Sequence, residues 1–200
     1  NAARNAATQV ARGEIIVFCD DDVLVPPGWL ERLTAPIREG KAEVASGPVL
    51  LEPSLRLPGR HADELTGLVT HVPGIVVPVL GNMAVRRDVF DRGLFDPEVE
   101  APVEEAEWLE RVGASWVGVP EAAVVHLKDP NDLRFLRLAR LAWRRGLSGG
   151  RYAARCGRAE VRTALTTALR SLGHALRYRC AGGVLVAISC LGRAIGAAHA

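Results

Sequence analysis

Cysteine is scarce in this 200-residue chain, and its four cysteines show no CxxC or other metal-binding spacing. The sequence therefore predicts neither a zinc–cysteine site nor a disulfide framework. Internal repeats and low-complexity segments are also absent, which argues against repeat and fibrous architectures. The hydrophobic fraction of 48% and the mean hydropathy of +0.11 exclude a disordered chain and do not demand a membrane protein.

Long apolar runs are lacking as well. The nearest candidate, residues 182–198, is rich in glycine, short and interrupted by Arg193, which favours an interfacial or packed helix over a spanning one. The first residue is Asn, and the chain opens inside a segment of helical character. We therefore expect the native N-terminus to lie upstream, so the lack of a signal peptide carries no information.

Charge is unevenly distributed along the chain. Residues 131–200 hold 13 Arg and two acids, whereas residues 1–130 hold 12 Lys and Arg and 21 acids. This asymmetry predicts a domain over 1–130 and a basic helical extension over 131–200 that meets an anionic surface, such as a membrane. The alternative is that the arginines pair with the acidic part. A nucleic-acid partner is not expected, because the extension offers few aromatic side chains for stacking.

The arginines of the extension recur at helical spacing. The first set shares one helical face and is followed by Gly149-Gly150, which we expect to break the helix. A second set after the glycines repeats the pattern. The two sets are Arg134, Arg137, Arg140, Arg144 and Arg151, Arg155, Arg158, Arg162.

The strongest local signal is a short apolar run that ends in three acids. Residues 15–18 (IIVF) predict a strand buried on both faces, as in a parallel sheet, with Cys19 as a small core residue. Asp20, Asp21 and Asp22 follow at its carboxyl end, where open α/β sheets place their ligands. Adjacent carboxylates need a compensating cation or water, and oxygen ligands suit Mg²⁺ or Mn²⁺ bound with a diphosphate. The alternative is a solvated turn that caps the next helix.

Further elements follow in α/β order. We expect helices over 1–12, 30–39 and 103–112, a short helix over 86–93, and strands over 43–51, 116–119 and 122–126. Within residues 75–85 we expect two strands separated by Gly81-Asn82. Pro48 places a bend or a sheet edge within the second strand. Residues 52–72 are predicted to be irregular and to border a cleft.

Several motifs in this order resemble the family 2 glycosyltransferases, which are inverting enzymes of the GT-A fold. The resemblance covers about residues 1–130. The motifs are ARN at 3–5, Gly13-Glu14, the Asp20–Asp22 run, Pro27 to Leu30, Gly81-Asn82-Met83 with Arg86-Arg87, Phe95-Asp96, Glu104 to Trp108 with Arg111, Pro120-Glu121-Ala122 and His126.

The resemblance implies a role for each matching position. Asp20 and Asp22 match the ends of the DxD motif, whose acids hold a divalent cation against the donor diphosphate, and Asp21 lies between them. Arg4 and Asn5 match the border of the nucleotide pocket, and Gly81 and Asn82 match the strand that lines the donor sugar. Glu105 matches the general base, with Glu104 as the next candidate, and His126 matches an occasional metal ligand. The alternative for the glutamates is that they belong to a solvated acidic helix face. The alternative for His126 is a structural histidine held by hydrogen bonds.

These implications define the expected protein. It is an α/β protein with a Rossmann-like mixed sheet flanked by helices, N-terminally incomplete, followed by the Arg-rich extension. It transfers a sugar from a nucleoside diphosphate donor, with Mg²⁺ or Mn²⁺, to a glycan or lipid-linked hydroxyl in cell-surface synthesis. We expect residues 1–200 alone to be inactive, because the first nucleotide-binding strand is missing. The expected location is the cytoplasm or the inner face of the plasma membrane. The alternative is a non-catalytic binding or membrane-docking module.

Overall fold

The computed structural model describes residues 1–52, 54–55, 77–99, 103–158 and 161–199. The chain forms two compact units. The described part of the first unit comprises residues 1–52, 77–99 and 104–127, and the second consists mainly of residues 128–158 and 161–199. The segment expected to border a cleft, 52–72, lies almost entirely outside the described residues.

The first unit alternates helices and short strands. Two 3₁₀ turns, Arg87–Arg92 and Pro120–Ala122, connect its later elements. In chain order the helices and strands are α1 (Ala2–Val10), β1 (Ile15–Cys19), β2 (Val23–Leu24), α2 (Trp29–Arg38), β3 (Val44–Ser46), β4 (Val49–Leu51), β5 (Asn82–Arg86), α3 (Glu104–Val112), β6 (Trp116–Gly118) and β7 (Val124–His126).

These strands form two mixed sheets. The larger has the order β1-β5-β3-β6, in which β5 runs antiparallel to β1 and β3 while β6 runs parallel to β3. The smaller has the order β2-β7-β4, with β7 antiparallel to β2 and parallel to β4. The expected mixed sheet flanked by helices is confirmed.

Two expectations about the first strand are wrong. Among the described residues β1 lies at the edge of its sheet, pairs antiparallel with β5 and is only half-buried, and Cys19 at its end is exposed. An unbroken apolar run predicts burial on both faces, but the neighbours that a strand acquires are set by the whole fold.

The expected strand over 43–51 is divided in two. Gly47 and Pro48 separate β3 from β4, and the two halves belong to different sheets. The bend predicted from Pro48 is therefore confirmed. Of the two strands expected on either side of Gly81-Asn82, the second is present as β5, which begins at Asn82, whereas the described residues before Gly81, 77–80, are irregular.

Large apolar side chains fill the core of the first unit. Trp108 is fully buried, stacks on Phe90 with ring centroids 5.1 Å apart and lies 4.7 Å from the Phe95 ring. Its indole N–H donates to the Gly93 carbonyl at 2.8 Å. Leu33 and Met83 are also fully buried. This dense packing fixes α3 and the end of the Arg87–Arg92 turn against the larger sheet.

The second unit consists of a 3₁₀ turn, Pro130–Leu133, and three helices: α4 (Phe135–Arg155), α5 (Val161–Tyr178) and α6 (Ala181–Ala198). The α6 helix packs against both others, whereas α4 and α5 make few contacts with each other. The three helices therefore form a layer with α6 in the middle. By length and composition α6, with a mean hydropathy of 1.6, is the one helix among the described residues that could cross a membrane.

The expected helix break at Gly149-Gly150 is wrong. The α4 helix continues to Arg155, because Gly150 makes room for α6: a Cβ there would lie 2.1 Å from the Arg193 carbonyl oxygen. The chain turns instead at Gly157, which has a φ of +67°. Arg158 and Arg162 therefore do not share a helix with Arg151 and Arg155, and the second arginine face does not form as a single face.

Candidate active site

Three side chains meet where β1 ends. Asp20, Asp22 and His126 each offer a ligand atom, and these atoms all lie within 4.8 Å of one another. His126 Nε2 lies 3.0 Å from both carboxylate oxygens of Asp22. The sequence prediction that these residues form one group is thus matched by their placement, although His126 lies 104 positions from Asp22 in the sequence.

The backbone pairing explains how the histidine reaches the aspartates. Val23 of β2 pairs with His126 of β7, and the Leu127 N–H donates to the Asp22 carbonyl at 2.7 Å. This short antiparallel ladder brings His126 beside the Asp22 side chain. The Nδ1 atom of His126 is buried without a hydrogen-bond partner among the described residues, so the polar contact of the ring is made through Nε2.

Gly81 makes room for the Asp20 carboxylate. A Cβ at Gly81 would lie 2.4 Å from Asp20 Oδ2, which is closer than real carbon–oxygen contacts allow. The Asp20 N–H also donates to the Gly81 carbonyl at 3.3 Å. Any larger residue at position 81 would therefore displace the first acid of the cluster.

The donor set fits a hard divalent cation. Two carboxylates and one imidazole nitrogen suit Mn²⁺ well, and carboxylate oxygens suit Mg²⁺. The close approach of the three groups concentrates negative charge at one point of the surface, which a cation would compensate. Asp21, the middle acid, is exposed and is not part of this group.

The two glutamates at the start of α3 form a second acidic centre. Glu104 and Glu105 are only 6% and 8% exposed. Glu105 Oε1 accepts the Leu80 N–H at 3.0 Å. Burial, and then the neighbouring Glu104 charge, raise the pKa of the Glu105 carboxyl to about 7.

Consecutive residues link the two acidic centres. Leu80 donates its N–H to Glu105, and the next residue, Gly81, lies against the Asp20 carboxylate. The turn at 80–81 is thus shared by the candidate base and the candidate metal site. No pattern in the sequence predicts the backbone bond from Leu80 to Glu105.

Arg4 belongs to the glutamate centre. Its Nη1 lies 3.6 Å from Glu104 Oε1 and 3.2 Å from the Asn1 side-chain oxygen. The other Glu104 oxygen, Oε2, is buried without a hydrogen-bond partner among the described residues. Among the described residues, Oε2 of Glu104 therefore remains available to accept a hydrogen bond, whereas Oε1 of Glu105 already accepts one from Leu80.

Asn5 and Asn82 use their side chains within the protein. The Asn5 amide donates to the Phe95 carbonyl at 2.8 Å and accepts the Phe95 N–H at 3.0 Å, which ties α1 to the segment before α3. Asn82 is fully buried and accepts the Trp29 indole N–H at 2.9 Å. Its amide donates to the carbonyls of Pro48 and Ala122 at 3.1 and 2.7 Å.

These bonds make Asn82 a junction between four segments of the first unit. It joins the start of α2, the Gly47-Pro48 bend, β5 and the turn before β7, and that turn leads into the strand that carries His126. The sequence predicts that position 82 is special but not that Trp29 is its partner. A hydrogen bond between two side chains 53 positions apart leaves no local signal.

The fold and these two acidic centres define the first unit as an α/β protein of the GT-A type. Residues 1–94 match the family model described as "Glycosyl transferase family 2". The resemblance to the family 2 glycosyltransferases seen in the motifs is thereby confirmed over residues 1–94.

Two solved structures are also similar to the chain. They are the Staphylococcus aureus proteins described as "TarS 1-349" and "TarS 1-349 in complex with UDP". Each shows 17% sequence identity and a TM-score of 0.43, and the alignment covers 70% of this chain and 43% of that one. The chain thus spans less than half the length of the solved structures that it matches. No curated protein sequence matches it.

Proposed function

We propose that the first unit serves an inverting, metal-dependent transfer of a sugar from a nucleoside diphosphate donor to a hydroxyl acceptor. One observation carries the proposal: the turn at Leu80-Gly81 contacts the Glu105 carboxylate on one side and the Asp20 carboxylate on the other. An inverting transfer needs these two parts, a place for the diphosphate charge and a separate proton acceptor.

The division of labour follows from the chemistry of displacement. The acceptor hydroxyl gives its proton to a carboxylate, its oxygen forms a bond to the anomeric carbon, and the bond from that carbon to the diphosphate breaks with the electron pair on the diphosphate. Glu105 is the proposed proton acceptor, with Glu104 as the second candidate. The nucleoside diphosphate released from the donor is the group that carries away the negative charge.

Asp20, Asp22 and His126 are the proposed ligands of Mg²⁺ or Mn²⁺. When bound, the cation would supply the positive charge that neutralises the leaving diphosphate. Arg4 lies beside Glu104, where a guanidinium compensates the charge of that centre. Asn5 and Asn82 are proposed to support the site indirectly. Their side chains are hydrogen-bonded within the protein and thereby hold α1 and β5 in place.

The Leu80 N–H prepares Glu105 for its role. It occupies one carboxylate oxygen and thereby orients the other. A pKa of about 7 places the carboxyl at the point where it can accept a proton and release it again near neutral pH. We therefore expect the rate of transfer to rise with pH through about 7.

The acceptor and the location are also proposals. A hydroxyl on a glycan or on a lipid-linked sugar suits a general base of this kind, and cell-surface synthesis is the setting that we propose. The excess of arginine in the second unit supports a position at the cytoplasmic face of the plasma membrane.

Glutamine substitutions test the assignment of the base. In an active preparation, Glu105→Gln should lower kcat by about 10²–10⁴-fold while donor affinity is nearly unchanged, because the proton acceptor is lost and the shape is kept. Glu105→Asp should be milder. Glu104→Gln is the matched control on the same helix. If Glu104→Gln is the crippling change, the base is Glu104; if neither matters, the first unit is a non-catalytic binding module.

A further inference from the structure

The second unit is built with its small residues inside. The contact between α4 and α6 runs through glycines on both helices, spaced four apart: Gly146 and Gly150 on α4, Gly192 and Gly196 on α6. A Cβ at any of them would lie 2.0–2.6 Å from a carbonyl oxygen of the facing helix. Backbones that approach this closely are typical of helices that associate within membranes.

The contact between α5 and α6 has the same character. Three alanines of α5, Ala164, Ala168 and Ala175, are buried. Opposite them, a Cβ at Gly183 of α6 would lie 2.7 Å from the Ser171 carbonyl oxygen. The α5 helix thus presents these three alanines to α6, and its leucines lie on another face.

That other face is a row of exposed leucines, which we call the leucine stripe. It consists of Leu165, Leu169, Leu172 and Leu176, whose spacing of 4, 3 and 4 places them on one side of the helix. Leu169 and Leu176 are 69% and 83% exposed. A row of this kind is costly in water. Among the described residues, α6 is the one element against which α5 packs extensively, and α6 contacts the face of α5 that carries the buried alanines.

The charged residues beside the leucine stripe indicate which kind of partner covers it. At 100° per residue, the exposed residues Arg162, Arg170 and Arg177 lie on the flank of the stripe that faces away from the buried alanines. The described residues of 128–199 contain fourteen Lys and Arg and two Asp. A second copy of the chain would bring the same positive charge, whereas an anionic bilayer offers both apolar and negative groups.

A groove between α4 and α6 also combines apolar and basic side chains. It has a volume of about 630 Å³ and is lined by Leu136, Ala139, Arg140, Trp143, Arg144 and Ile188. Leu136 is 71% exposed. Apolar walls with two guanidinium groups at their border match an acyl chain with a phosphate head group.

We propose that the second unit inserts the leucine stripe of α5 among the acyl chains of an anionic bilayer, with the flanking arginines at the phosphates. This goes beyond electrostatic adsorption, because the apolar contact is not screened by salt. The inference does not depend on sugar transfer, and it can fail while the metal site stands.

Vesicle sedimentation with the full chain tests the insertion. Wild type should bind vesicles of phosphatidylglycerol and phosphatidylcholine and should retain most of that binding at about 0.5 M salt, where charges more than a few ångströms apart are screened. The double substitution Leu169→Ser with Leu176→Ser should weaken binding by roughly tenfold or more, since two exposed leucines lose their apolar burial. Its circular dichroism should match that of wild type.

Two control variants separate the apolar contribution of the leucine stripe from the electrostatic contribution of the arginines. Val10→Ser removes an equally exposed apolar side chain from the first unit, and it should leave vesicle binding unchanged. Arg162→Gln with Arg170→Gln should weaken binding at low salt and have less effect at high salt. The proposal is overturned if the double leucine variant binds as wild type does, or if wild-type binding disappears at high salt. It is also overturned if the leucine change only converts a dimer to a monomer.

Discussion

The two units of this chain bury opposite kinds of side chain. In the first unit the largest residues, such as Trp108, Phe95 and Met83, are fully buried. In the second the buried positions are mostly Gly and Ala, while leucines of α5 are exposed. The first arrangement is typical of a core whose outer surface faces water, and the second is typical of helices that associate within membranes.

This contrast fits the role that we propose for each unit. The proposed site of two acidic centres requires side chains held to within a fraction of an ångström, and a densely packed aromatic core supplies that rigidity. A layer of closely spaced helices requires only that its backbones fit, which leaves its large side chains available for the proposed contact with a bilayer. The same sequence thus uses two different ways of stabilising helices.

The largest expected effect is the loss of the aromatic core. Trp108→Ala should cost about 3–5 kcal/mol of stability, because it leaves a cavity among Phe90 and Phe95 and removes the bond to Gly93. Hydrogen exchange should show lost protection in the first unit and retained protection in α4 and α6. Equal loss of protection in both units would contradict this expectation and would mean that the two units unfold together.

The next effect is a dependence of stability on pH. The pKa of Glu105 is raised from 4.5 to about 7, so the folded state holds a proton that the unfolded state releases at lower pH. The resulting stability is fully present below pH 4.5 and is lost as the pH rises to about 7, by roughly 3 kcal/mol. Urea unfolding at pH 5 and pH 8 should show this difference.

Glu105→Gln is the matched variant for that measurement. It cannot ionise, so its stability should change less between pH 5 and pH 8 than that of wild type. An unchanged pH dependence in this variant would assign the titration to another group. The pH effect should be confined to the first unit, because Glu105 lies there.

Steric substitution tests the glycine contact of the second unit. Gly150→Val should destabilise the packing of α4 on α6 by about 1–3 kcal/mol, because its Cβ would lie 2.1 Å from the Arg193 carbonyl oxygen. Gly149→Ala is the neighbouring control: a Cβ there meets nothing within 4 Å, so it should stabilise α4 by about 1 kcal/mol. Similar results for both variants, measured by thermal unfolding, would contradict the proposed packing.

The smallest effect concerns the Asn82 junction. Trp29→Phe keeps the ring and removes the N–H that Asn82 accepts, which should cost about 1 kcal/mol. Denaturant unfolding would measure the loss. If the loss is negligible, water replaces the indole N–H, and Asn82 holds its segments through Pro48 and Ala122 alone.

Much of the first unit could be predicted from its sequence. The end of β1 in three acids, the bend at Pro48 and the start of α3 are local signals, because apolar runs, prolines and acidic first turns act on their own neighbours. The grouping of Asp20, Asp22 and His126 was predicted from motif order, and the pairing of Val23 with His126 explains how these distant residues come together.

Other features could not be predicted because they depend on distant contacts. The raised pKa of Glu105 requires knowledge of its burial, and the bonds from Leu80 to Glu105 and from Trp29 to Asn82 join remote segments. Gly149-Gly150 was predicted to break a helix because glycine usually does so, yet Gly150 serves the contact with α6. In each case the tertiary partner decides what the local residue does.

Titration of the chain with Mn²⁺, followed by electron paramagnetic resonance with and without UDP, tests whether Asp20, Asp22 and His126 hold a divalent cation. We expect one Mn²⁺ site that Asp22→Ala abolishes and His126→Ala weakens, while Asp21→Ala, a change at the exposed neighbour, leaves it intact. UDP should tighten the binding. Mn²⁺ bound equally well by wild type and Asp22→Ala would contradict the assignment of this site.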